Sequence, residues 1–159
     1  MTELDLLLNS ESEELLLTID DFQTEILKTF LASSSNDYLQ SADKWLNATT
    51  ANTAQFGGEA SKAKIYRDKV LDEIEKFICG NDEYEEDRKK ISESSDKSRQ
   101  YILGVMSVAI GKTLGVAGTF IAPVIVLLIM SFGKILTNAW CEMRKELKKT
   151  DGENTDLTT

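Results

Sequence analysis

The chain has 159 residues, with 27 acidic and 18 basic side chains, a net charge of −9 and no histidine. That length suits one domain, or a small domain plus a membrane segment. The acidity argues against a nucleic-acid partner, which needs a basic face to displace counterions, and the missing imidazole excludes His-based triads, His-ligated zinc and imidazole pH switching.

The N-terminus, MTELDLLLNSESEELLL, places acids where a secretory signal carries Lys or Arg, so it is not read as a signal peptide. Residues 1–10 read as a loose lead-in. A first long helix is expected from Ser10 or Ser12, since Ser10 and Glu13 have capping-box spacing and acids fill the first turn. Leu15, Ile19, Phe22, Ile26 and Phe30 supply a helical stripe, and Ser33 to Asn36 end it. A second helix fits Asp37 to Asn47, with Tyr38, Ala42, Trp45 and Leu46 on one face. Asn47 to Gly58 is small and polar and reads as a loop, with Phe56 packing it onto the core. The third helix runs from Glu59 to Cys79 on a stripe of Ala63, Tyr66, Val70, Ile74 and Phe77, with Gly80 as its left-handed cap. The charged stretch from Asp82 to Arg99 reads as a solvated helix or a linker, with Tyr84 and Ile91 its main apolar residues. Cys79 and Cys141 lie far apart without a CxxC motif and read as reduced thiols of a cytoplasmic chain.

The rest of the chain is organised around Tyr101 to Cys141, whose only charges are Lys112 and Lys134. About 20 apolar residues cross a bilayer as a helix, and this stretch is about twice that. Gly115, Gly118 and Pro123 break it near the middle. Two apolar helices are therefore expected, folded back as a hairpin. The first extends from Asp96 to Gly115; the second starts between Thr119 and Pro123, with the proline in its first turn, and continues to Lys149. Beyond Thr150 the composition is that of a frayed tail.

Three features favour a membrane for this hairpin. Tyr101–Thr119 and Pro123–Cys141 are equal in length, each just sufficient for a thin bilayer. Arg88, Lys89, Lys90, Lys97 and Arg99 precede it and Arg144, Lys145, Lys148 and Lys149 follow, which puts both ends on the cytoplasmic side, with Tyr101 and Trp140 at the membrane interface. Gly104, Ser107, Gly111, Gly115 and Gly118 form a small-residue face for helix–helix packing. Against this stand Lys112 and Lys134. A lysine near the bilayer centre costs about 2.5–3.5 kcal/mol. In a membrane they would be pore-lining or intramembrane charges; in a helical bundle the hairpin would be core, under a shell of amphipathic helices. A soluble fold that releases the hairpin on a trigger lies between the two.

No enzyme emerges. Gly111-Lys112-Thr113 resembles the end of a phosphate-binding loop, but the required earlier glycine is Met106 and the segment is helical. No catalytic, cofactor or metal residue is expected, and no cofactor. The fold class is all-α: three to four amphipathic helices followed by a long apolar helical hairpin. The divisions are a helical module over 1–80, a charged helix or linker over 81–99, the hairpin over 100–149 and a disordered tail over 150–159. The leading expectation is a non-enzymatic, membrane-associated protein of the toxin or defence-effector type. It would sit in the inner (cytoplasmic) membrane with both termini in the cytoplasm. Membrane lipid, a second copy of the chain and a protein bound through the N-terminal helices are its expected partners, and nucleic acid is not. The alternative is a cytoplasmic helical adaptor or immunity-type protein with the hairpin as core.

Overall fold

A computed structural model describes residues 3–50 and 60–157, with side chains for 3–48 and 62–149. The described residues are all-α, with no strand among them. The helices are α1 (Glu3–Leu8), α2 (Ser12–Leu16), α3 (Asp21–Ser33), α4 (Tyr38–Thr50), α5 (Ala60–Ile78), α6 (Glu85–Glu93), α7 (Arg99–Leu114), α8 (Gly118–Phe132) and α9 (Thr137–Leu157), with a 3-10 turn (Asp82–Tyr84) before α6. Phe56, expected to pack onto the core, lies outside the described residues, as do the side chains of the expected tail.

The front of the chain departs from a single long helix. The lead-in is itself helical and buries Leu7 and Leu8. The expected first helix is two, α2 and α3, broken at Leu17 to Asp20. The capping contact is Glu11 N–H donating to Glu14 Oε1 at 3.0 Å, one residue beyond the Ser10–Glu13 pair. The break shifts the helical phase, so Thr24, Leu27 and Leu31 face inward while Phe22 is 76 % exposed. α4 and α5 follow the sequence closely: Ala42, Trp45, Leu46, Ala63, Val70, Ile74 and Phe77 are all buried.

Glycines close two helices by the same device. Gly80 has φ +94°, and Asn81 N–H donates to Lys76 O at 3.0 Å. Gly115 has φ +77°, and Val116 N–H donates to Gly111 O at 2.8 Å. Both are six-to-one caps that need a residue at positive φ, which glycine adopts without a Cβ penalty.

α8 is the central helix. It packs against α7, α4, α5 and α2. Ile121 and Val124 through Ile129 are buried to within 1 %. A helix apolar all round must be covered on every side, and the amphipathic faces of the shell do that here. α7 and α8 meet at 112°, a bent pair rather than a parallel-sided hairpin. At 1.5 Å per residue they are only about 24 and 22 Å long, and neither alone is long and apolar enough to cross a membrane, although the bent pair has the length and composition together.

Two boundaries in this segment differ from the sequence reading. α8 starts at Gly118, so Pro123 sits inside the helix and not in its first turn. The missing proline N–H leaves Thr119 C=O without its intrahelical donor. Gln23 of α3 supplies one, Nε2 donating to Thr119 O at 2.7 Å, and Trp45 Nε1 donates to Phe120 O at 3.0 Å. The second apolar helix also stops at Gly133, and α9 begins afresh at Thr137. There Asp5 of α1 acts as the cap, its Oδ1 accepting from Thr137 N–H and Oγ1, each at 2.8 Å.

Candidate functional site

The glycine-lined helix serves two purposes. At Gly111 a Cβ would meet Val116 O at 2.7 Å, and at Gly118 it would meet Val108 Cα at 3.1 Å. These two glycines permit the close approach of α7 to the start of α8, within one chain. Gly104 and Gly115 contact nothing at the Cβ position. Gly115 is needed for its dihedral angle, and Gly104 leaves a notch on the outer face of α7. Ser107 is buried at 3 % exposure, and its Oγ has no hydrogen-bond partner.

The two lysines do not meet. Lys112 is exposed near the end of α7. Lys134 lies in the α8–α9 connection and pairs with Glu11 at the start of α2. Both side chains reach the outer surface of the bundle, so neither lies among the apolar residues of α8. Tyr101 is half-buried at the start of α7. Trp140, expected at a membrane boundary, is instead buried to 1 % against Phe132, with Arg144 6.0 Å from its ring. A lone aromatic near a basic run does not signal that burial.

The clearest departure from the sequence reading is the bond between Cys79 and Cys141. Their Cα atoms are 5.8 Å apart, across 62 residues of sequence. The capped end of α5 and the first turns of α9 converge there, which a separation in sequence cannot reveal. An ionic clamp reinforces the same junction. Arg144 Nε donates to Glu75 Oε1 at 2.7 Å, Lys148 Nζ to Glu75 Oε2 at 2.8 Å, and Arg144 reaches Asp72 at 3.4 Å. Burial would raise the Glu75 carboxyl, but the hydrogen bonds from Lys148 and Arg144 outweigh it and hold it below the ordinary glutamate range.

A second buried polar group links α5 to α7. Tyr84 donates its hydroxyl to Glu73 Oε1 at 2.7 Å and lies 3.0 Å from Thr113 Oγ1, while Lys76 donates to the other Glu73 oxygen at 3.1 Å. Burial pushes the Tyr84 phenol up, so it stays protonated as the donor. Among the described residues, no cluster of His, Cys, Asp or Glu has the arrangement to hold a metal ion. The pairs of Arg144 and Lys148 with Asp72 and Glu75 tie α9 to α5. In comparisons with protein-family models, characterised proteins and solved structures, nothing matches this chain.

Proposed function

We propose that this protein acts by binding and not by catalysis, as a helical protein that keeps its apolar pair as the core. The observation that carries the reading is the near-complete burial of Val124 through Ile129 under α2, α4, α5 and α7. Burying such side chains contributes about 1.5–3 kcal/mol each, so exposing α8 would forfeit much of the fold's driving force. The binding face this reading favours is the α2–α3 corner. Leu17 is 69 % exposed there and lines a cleft of about 400 Å³ with Leu16, Leu31 and Lys28. Large apolar side chains grouped at a surface, with charge around them, mark protein-binding sites. The Cys79–Cys141 bond supports an oxidising compartment for this fold, since such bonds are rare in the cytoplasm.

Membrane insertion is a second reading, favoured by one observation. α7 and α8 together have the length and composition of a broken span, and both lie inside the loop closed by Cys79 and Cys141. Release of the pair would leave the Cys79–Cys141 bond between α5 and α9 intact. Fractionation of cells expressing the chain separates the readings. Recovery in the supernatant, monodisperse without detergent, is the result expected for a buried core. Retention in the pellet through a carbonate wash, until detergent is added, sinks the first reading and leaves the second.

A further inference from the structure

We infer that the outer face of α7 is a docking surface for a second copy of this chain, packed antiparallel to the first. The inference rests on the reading that the apolar pair stays in the bundle. The face is built from a knob and a notch one helical turn apart. Val108 is 64 % exposed, and Gly104 has open space where a Cβ would stand. Depressions of about 160 and 400 Å³ flank them, and Gly104 and Val108 line both. Residues at i and i+4 share one helix face, so knob and notch point the same way.

Such a face is complementary to itself. In an isologous pair, each residue that contacts a second is contacted by it in return. With antiparallel helices and the twofold axis level with Met106, Val108 of each copy enters the Gly104 notch of the other, and each flank of the face meets its own counterpart. The charges agree with this symmetry. Asp87 and Lys90 of α6 edge the larger depression, one turn apart. An antiparallel twofold brings like edges together in reverse order, and in the proposed pair Asp87 of each copy meets Lys90 of the other. The slot on the opposite flank contains Ser107, whose buried Oγ lacks a partner within the chain. A buried hydroxyl is normally bonded, so this wall of the helix is unfinished in the single copy.

The test is sedimentation velocity on the full chain without detergent, from about 1 to about 300 μM, a range that brackets the affinity of a small interface. The expected mass rises with concentration toward twice 17.7 kDa. Val108→Asp and Gly104→Leu should each remain monomeric with unchanged helical circular dichroism, because both positions are open in the single chain. Asp87→Lys should weaken association at least about tenfold, and the exchange Asp87→Lys with Lys90→Asp should restore it. A wild-type monomer across the whole range overturns this inference alone. So does association that Val108→Asp and Gly104→Leu leave intact. A chain that enters solution only with detergent overturns the core reading and this inference together.

Discussion

α7 and α8 come from one uninterrupted apolar stretch, yet the fold treats them differently. α8 is covered on every side, while α7 buries Ile102, Leu103, Met106 and Ile110 and turns Gly104, Val108 and Lys112 outward. The contrast follows from side-chain size around each helix. α8 has bulky aliphatic residues at nearly every position from Ile121 to Met130 and so has no face that water can wet cheaply. α7 alternates such residues with Gly, Ser and one Lys, which leaves one side of low apolar content. High apolar content alone therefore marked the segment as central without saying which half was the core.

The most forceful way to test that contrast is to place the same charge in each helix. Val126→Asp puts a carboxylate at a fully buried site of α8. We expect a loss of more than about 4 kcal/mol, enough to abolish folding. Val108→Asp in α7 should change stability by less than about 0.5 kcal/mol, as exposed substitutions usually do. Urea unfolding followed by circular dichroism reads both. Comparable losses at the two sites would mean that α7 is as enclosed as α8.

Next in size is the bond that closes the loop around the pair. Joining residues 62 apart in sequence restricts the unfolded chain by about 4 kcal/mol on the loop-entropy relation. The Cys79→Ser, Cys141→Ser variant, or the wild type under reductant, should lose about 2–4 kcal/mol in urea. The helical content should persist, since the Arg144–Glu75 clamp remains. No change in the urea midpoint on reduction would mean that the thiols are unpaired in solution, as their spacing in the sequence implied.

A smaller contrast lies within α7 itself. Gly111→Ala forces a methyl group against Val116 O and should cost about 1–3 kcal/mol. Gly104→Ala meets nothing and should stabilise the helix by about 0.5–1 kcal/mol, the usual gain from replacing a helix-interior glycine. If both substitutions act in the same direction, the two glycines do not differ in the way the close approach of α7 to α8 requires.

These contrasts also show where the sequence was readable. Stripes of Ala63, Val70, Ile74 and Phe77, and of Ala42, Trp45 and Leu46, gave α4 and α5 their inward faces because each helix is regular from end to end. Phe22 misled, because the break at Leu17 to Asp20 resets the helical phase and local periodicity carries no record of it. Gly80 and Gly115 were legible as breaks, since positive φ is a local demand. Partners far apart in sequence were not. Pro123 needs Gln23, Thr137 needs Asp5 and Cys79 meets Cys141 only through the packing of whole helices. The outer face of α7 was visible as a small-residue run, but its division into close-packed Gly111 and open Gly104 depends on the 112° turn into α8.

The smallest expected effect concerns acid and the α5–α9 junction. The Glu75 carboxyl is held below its ordinary value of 4.5 by Lys148 and Arg144, against the opposing effect of burial. A depressed folded-state pKa means that the unfolded chain binds the proton more readily, so this group stabilises the fold above the unfolded pKa. The contribution is lost as pH falls below about 4.5 and through the lower folded value. Glu75→Gln removes the titration, so the urea midpoint of the variant should fall less between pH 6 and pH 3 than that of the wild type. The disulfide still ties α9 to α5 over that range, so the helix should loosen without leaving. An identical acid dependence in the two chains would show that the Glu75 ion pairs contribute nothing that titrates, with α9 held by Cys141, the buried Trp140 and the Asp5–Thr137 contact.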